Sequence, residues 1–302
     1  MTAQQPKGLN VGDKAILASA LFWGTGWYPV RELNDAAASA GSFPMFVSYA
    51  IAGFVTLPFV FIHFTDIRGA FVKWLGIGVF AASAYTLYVE ALLIGQIGRV
   101  LILFYLMPVW ATLLERFVLG QKLTLDRVIT LVVGFCGLVF IAGPEALAGT
   151  FSAVDIMSVA AGLSFAIAVF LINRTPEIPV SGKIGGIFMM SVPIFFVVSL
   201  LPGGSEAIQL AAVPSDAWLW ILVHALIWFV PAFGLSIYGS NLTQPGRAAI
   251  FFMAEVLTGI ITAALFAGEV LTGREAIGAV LVVSAGLIEG IGLDVLLRRK
   301  RP

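Results

Sequence analysis

Ten runs of mainly apolar residues follow one another along the chain, at 15–31, 43–64, 74–97, 100–120, 128–143, 156–173, 184–201, 217–241, 248–268 and 276–297. A helix needs about 20 such residues to cross a bilayer. The runs are unbroken rather than alternating every second residue, which excludes a transmembrane β-barrel. Short stretches of Pro, Gly and polar residues separate them, as in Thr175-Pro176-Glu177-Ile178-Pro179 and Pro202-Gly203-Gly204-Ser205. No connection is long enough to form a soluble domain. The pattern predicts an all-α membrane protein of ten transmembrane helices, with any chemistry inside the bundle or at its mouths.

A shift of 148 residues lays the fourth run on the ninth. Gly98 falls on Gly246, Arg99 on Arg247, Ile102 on Ile250, Phe104 on Phe252, Gly120 on Gly268, Leu123 on Leu271 and Thr124 on Thr272. The chain thus reads as two repeats of five helices, 14–147 and 148–297, between an N-terminal tail (1–13) and a short basic tail (298–302). Five is odd, so the second repeat runs upside down. Inverted repeats suit a transporter, because related halves can close either end of a central site in turn.

Charge gives the orientation. With the N-terminus in the cytoplasm, only Arg31, Arg99 and Arg274 of the 17 Lys and Arg residues face outward. Both termini are then cytoplasmic. The 60% hydrophobic and 11% charged composition requires lipid as solvent. Seventeen basic residues balance 17 acidic ones, which argues against nucleic acid as a partner. The single cysteine, Cys136, cannot form an intramolecular disulfide, and no Cys/His spacing suits a metal. No P-loop and no paired catalytic motif is present, so neither a cofactor nor direct ATP use is expected. Residues 1–10 are polar and lack the apolar core of a cleaved signal peptide.

The stretch Gly98-Arg99-Val100 … Phe104-Tyr105-Leu106-Met107-Pro108 … Gly120-Gln121-Lys122-Leu123-Thr124 resembles the fourth-helix pattern of the EamA-type drug/metabolite transporters. Ala254-Glu255-Val256 and Ala267-Gly268-Glu269-Val270-Leu271-Thr272 resemble its second copy, and Glu90-Ala91-Leu92 is similar to the family's third-helix end. Gln121 stands where Glu is usual, and Val256 where Pro is usual. Within that superfamily the chain looks most like the YddG-type aromatic amino acid exporters. The resemblance implies export of aromatic amino acids and related metabolites from the bacterial cytoplasm across the inner membrane.

Candidate functional residues lie where the bilayer makes them costly. Glu255 is near the middle of the ninth run, and an acid at that depth is functional or paired. It is read as a group that binds a substrate ammonium or carries a proton, against the alternative of a hydrogen-bonded tie between helices. Trp23, Tyr85, Tyr88, Tyr105, Phe165 and Trp228 fall inside their runs, whereas Trp27, Trp74 and Trp218 read as interfacial anchors. Buried Tyr and Trp want polar partners, which a wet cavity supplies, and aromatic walls bind ammonium groups by cation–π contact. Met107, the repeat partner of Glu255, and Met253 complete the candidate substrate-binding set. Trp23 and Phe165 lie at similar depths of equivalent helices, where they could face each other across the pseudo-twofold axis. Pro108 breaks a backbone hydrogen bond and marks a kink or hinge. Glu289, in Gly286-Leu287-Ile288-Glu289-Gly290, reads as a polar tie in a packing helix. Arg99 and Arg247 read as snorkelling to headgroups, Glu115 as an interfacial anchor, and His224 as a satisfied or interfacial histidine.

These features predict a secondary transporter working by alternating access through a central aromatic-lined cavity. Its partners would be a small solute, with aromatic amino acids favoured, and the lipid bilayer. The alternatives are a broad drug or metabolite exporter and, further off, a membrane-embedded enzyme. Oligomeric state cannot be read from the sequence.

Overall fold

The computed structural model describes residues 8–36, 43–148, 150–199, 214–266, 268, 270 and 272–292. The tail at 298–302 and the first seven residues of the N-terminal tail lie outside this set. Every regular element among the described residues is helical. The helices are α1 (Val11–Thr25), α2 (Trp27–Ala36), α3 (Phe43–Ile62), α4 (Phe64–Gly69), α5 (Phe71–Ile94), α6 (Ile97–Phe104), α7 (Met107–Val118) and α8 (Leu125–Ala142). A 3₁₀ turn, Pro144–Leu147, leads into the second half. There follow α9 (Ala153–Asn173), α10 (Val180–Ser199), α11 (Ala217–Leu222), a π-helical segment (Val223–Phe229), α12 (Val230–Leu242), α13 (Pro245–Phe252), α14 (Ala254–Phe266) and α15 (Gly273–Ile291).

Eight helical stretches among the described residues are long and apolar enough to cross a membrane. They correspond to the second to ninth predicted runs. The first run is helical but broken at Gly26 into α1 and α2, so neither half has the length. The tenth run is α15, which carries Arg274, Glu275 and Glu289.

Local sequence explains where the helices start and stop. Capping boxes open α1 (Asn10 with Asp13), α9 (Ser152 with Asp155) and α15 (Thr272 with Glu275), each satisfying two backbone donors at a helix start. Gly120 and Gly268, repeat partners, both take left-handed φ, 68° and 70°, after α7 and α14. The fourth run breaks at Tyr105 and Leu106, with Pro108 in the first turn of α7, as a kink there requires. The ninth run breaks at the equivalent Met253 although no proline follows it. The break is common to both repeats, so proline alone does not set it.

The repeats interlock. The first helix of each packs on the third and fourth segments of the other: α1 against α12, α13 and α14, and α9 against α5, α6 and α7. Helices α8 and α15 form a tight pair, and α3 packs on α10. A Cβ built on Gly137 would lie 2.8 Å from the Gly278 carbonyl oxygen, so these two glycines set the α8–α15 approach. Gly286, half of the Gly286/Gly290 motif, has open space where a Cβ would sit.

Candidate functional site

One end of the bundle, here the near end, carries the start of α1. The far end carries α2 and the starts of α3, α6, α9 and α11. A cavity of about 590 Å³ runs from mid-bundle toward the far end, within the usual size of a small-solute site. Trp23, Tyr85, Tyr88, Trp228 and Glu255 line it, as does Trp27. It reaches the exposed Asp35 and Ile97 at the far end. Among the described Lys and Arg residues, Arg31 alone is on its wall, eight residues beyond Trp23 toward the mouth.

The walls are rings held by hydroxyls. Indole N–H groups donate from Trp23 to Ser236 Oγ, from Trp228 to Thr25 Oγ1 and from Trp27 to Thr262 Oγ1, each at 3.0 Å. Tyr85 lies 5.4 Å from Trp23, 4.6 Å from Phe229 and 5.6 Å from Tyr49, centroid to centroid. The indoles therefore find their partners in the protein and present their faces to the cavity. Trp27 is one helical turn from Trp23 and shares its face, a spacing that identifies it as cavity-lining rather than interfacial. Trp74 is buried and donates to the Gly182 carbonyl at 2.9 Å, so it is not an interfacial anchor either.

Glu255 is the second residue of α14. The Glu255 carbonyl sits where a Cβ on Gly24 would fall, 2.5 Å away, so α1 passes directly over this turn. Tyr105 lies within electrostatic reach of the Glu255 carboxylate, and its own buried hydroxyl lacks a hydrogen bond of good geometry. Tyr105, Met107, Phe165 and Met253 do not line the cavity in this conformation. They pack together in the apolar cluster on its near-end side. Phe165 does not face Trp23: its ring contacts are Phe104 at 6.0 Å and Phe252 at 5.1 Å.

The near end is closed by buried charge. Arg247 donates to both carboxylate oxygens of Asp13, from Nε at 3.1 Å and Nη2 at 2.8 Å. It also donates to the carbonyls of Glu289 and Gly8, each at 2.8 Å. Beside it Arg127 pairs with Glu289 at 2.9 Å, and Glu115 accepts the Gly246 N–H at 3.1 Å. Lys183, fully buried, donates to the Ile172 carbonyl at 3.1 Å and to Asn241. At the far end Arg99, the repeat partner of Arg247, donates to Asp155 at 3.0 Å and to the Ala148 carbonyl. Arg99, Arg247 and Glu115 are thus not membrane-surface anchors. The two arginines meet inward-facing partners, because the capping acids of α1 and α9 lie against the opposite repeat, and Glu115 meets the Gly246 backbone N–H. Glu289 is the polar tie its position suggested.

Comparison with known proteins agrees with this architecture. Two uncharacterized transporters of Archaeoglobus fulgidus are 24% and 23% identical to the chain, over 93% and 94% of it and 96% and 98% of their own lengths. The uncharacterized transporter YoaV of Bacillus subtilis is 27% identical over 61% of this chain and 63% of its own. A solved crystal structure superposes with a TM-score of 0.73 at 15% identity, covering 95% of this chain and 99% of that one, which shows the shared fold. The model of the EamA-like transporter family matches twice, at residues 10–143 and 152–288, once over each repeat, and the chain belongs to that family.

Proposed function

We propose that this protein is a secondary transporter that exports aromatic amino acids and related small metabolites across the bacterial inner membrane. It does so through ten spans, with both termini cytoplasmic and access alternating between the two ends. The observation that carries this reading is the cavity. It has aromatic walls and one mid-bundle carboxylate, and it reaches the far end while the near end is sealed by ion pairs. In this orientation the near end is cytoplasmic and the conformation faces outward. Glu255 takes the substrate ammonium, with help from the faces of Trp23 and Tyr85 by cation–π attraction. Tyr105, Met107, Phe165 and Met253 meet the substrate when the near end opens, and the paired breaks at Tyr105–Leu106 and Met253, the first next to Pro108, serve as the hinges.

Flux of labelled phenylalanine, tryptophan and alanine through purified protein in liposomes tests this, with and without a pH gradient. Saturable flux of the two aromatic solutes and little of alanine is expected. Absence of flux for all three moves the substrate to other metabolites or drugs. Glu255→Gln is expected to remove any dependence of flux on the gradient, and an unchanged dependence would exclude Glu255 as the proton carrier. Trp23→Ala or Tyr85→Ala should weaken aromatic flux without preventing membrane insertion.

A further inference from the structure

With three indole N–H groups satisfied inside the protein, the cavity wall keeps the Tyr85 and Tyr88 hydroxyls, Arg31 and Asp35 toward the mouth, and two further polar groups. Glu255 is one, at the level of Gly24. His224 is another. It precedes Trp228 by about one turn, and Trp228 is level with Thr25, so His224 lies farther toward the mouth than Glu255. His224 is only 3% exposed, and its Nδ1 is itself buried without a hydrogen-bond partner, so this nitrogen meets a solute in the cavity only when the ring rotates. Buried polar side chains are nearly always hydrogen-bonded, so an orphan of this kind calls for an explanation.

The backbone goes to some trouble to place this ring. His224 lies in the π-helical segment Val223–Phe229. In an α-helix, residues five apart point roughly 140° away from each other. The i→i+5 bonding of a π-helix brings them onto the same face, and such segments concentrate at functional sites. Here it stacks the imidazole on Phe229, 5.2 Å between centroids at 27°. Phe229 in turn lies 4.6 Å from Tyr85 and 6.0 Å from Trp23. A continuous aromatic surface therefore runs between the two polar groups, with a carboxylate at its deep end and an imidazole nearer the mouth.

We propose that His224 is a substrate-binding residue that hydrogen-bonds a polar group on the ring of an aromatic solute while Glu255 holds the ammonium. The proposal rests on the reading of the cavity as an aromatic-solute site and adds its selectivity. A neutral imidazole offers one donor and one acceptor, and a half-turn of the ring about its Cβ–Cγ bond exchanges its edges. A phenol O–H can use either, and an indole N–H can use the acceptor. A plain phenyl ring offers nothing and leaves the imidazole unpaired. The protein therefore selects tyrosine and tryptophan over phenylalanine.

The test is initial flux against concentration for labelled tyrosine, tryptophan and phenylalanine in liposomes, for wild type, His224→Phe and His224→Leu. In wild type, kcat/KM for tyrosine and tryptophan is expected to exceed that for phenylalanine about tenfold, the worth of one well-made hydrogen bond to a buried group. Both variants should bring the three solutes together by raising KM for tyrosine and tryptophan and leaving phenylalanine nearly unchanged. His224→Phe keeps the stack on Phe229, so it separates the lost hydrogen bond from lost packing. Equal handling of the three solutes by wild type, a preference that survives both substitutions, or an equal loss for all three solutes in both variants overturns the role of His224 while the transport reading stands. No saturable flux of any of the three overturns both.

Discussion

At the near end Arg247 meets Asp13 through two nitrogens and fills its other donors with backbone carbonyls, and 3% of its side chain is exposed. At the far end its repeat partner Arg99 meets Asp155 and a single carbonyl, and 20% of its side chain is exposed. The two aspartates also correspond. Each is the third residue of a capped first helix, and each pairs with an arginine of the opposite repeat. The same device thus stands at both ends, dry at one and half wet at the other. An arginine with five donors is fully satisfied only where carbonyls crowd around it, as they do when α1, α13 and α15 converge. The difference marks which end is shut in this conformation, and it makes the two pairs unequal in energy.

Removing one partner of a buried pair leaves the other charge stranded. Arg247→Met is therefore expected to cost about 3–5 kcal/mol of stability. Arg99→Met loses charge-assisted hydrogen bonds at a site water can reach, and is expected to cost distinctly less. Melting of the two variants in the same detergent ranks them. A larger loss for Arg99→Met would mean that the far end is the sealed one, and would reverse the outward-facing assignment.

The seal depends on small residues as well as on charge. A Cβ on Gly12 would lie 2.5 Å from Thr243 Oγ1 and 3.0 Å from the Gly239 carbonyl oxygen, so α1 and α12 touch backbone to backbone at the near end. The residue before Asp155, the counterpart of Gly12, is Val154, and there the partner makes the room instead: a Cβ on Gly95 would lie 2.5 Å from Val154 Cγ1. Gly12→Ala should cost about 1–3 kcal/mol by overpacking, and should open the near end rather than the far end. Accessibility to a water-soluble thiol reagent, read at single cysteines placed on the cavity wall from either side of the membrane, checks the direction. Wild-type accessibility from both sides in Gly12→Ala would break the link between this contact and the seal.

Much of this was legible along the chain. Hydrophobic runs located the eight long apolar helices among the described residues, because lipid imposes a length that sequence cannot hide, but not the short α4 nor the break between α1 and α2. The repeat was legible because Gly120 and Gly268 must take the same left-handed turn. Pairings across the repeats were not. Nothing local in Arg247 points to Asp13, 234 residues away, so a cation at a helix start read as a headgroup contact. His224 read as inert because its placement depends on a π-helical segment that leaves no mark in hydrophobic periodicity. The interior aromatics stood out, but which of them face the cavity depends on how the two repeats pack together. Trp23, Tyr85, Tyr88 and Trp228 line it, while Tyr105 and Phe165 sit in the packed half.

The weakest form of the comparison lies at the surface. Each end also carries an exposed pair between a Lys or Arg and a carboxylate among the described residues, Lys73 with Glu177 at 2.8 Å at the near end and Arg274 with Glu145 at 3.4 Å at the far end. Exposed pairs are worth about 0–1 kcal/mol, so neither should decide which end is shut. The hydrogen bond from Lys73, the largest contribution, holds the Glu177 carboxyl below its ordinary value of 4.5. A carboxyl depressed in the folded state stabilises above its unfolded pKa and loses that contribution as pH falls through the folded one. Lys73→Ala should therefore lower stability by a few tenths of a kcal/mol at neutral pH, with the deficit fading below about pH 4.5. Melts from pH 7 down to pH 3.5 in matched salt read this directly. A deficit that persists at the acid end would assign Lys73 a role other than its pairing with Glu177. A change in end accessibility in the same variant would mean that the near-end seal reaches out to this loop.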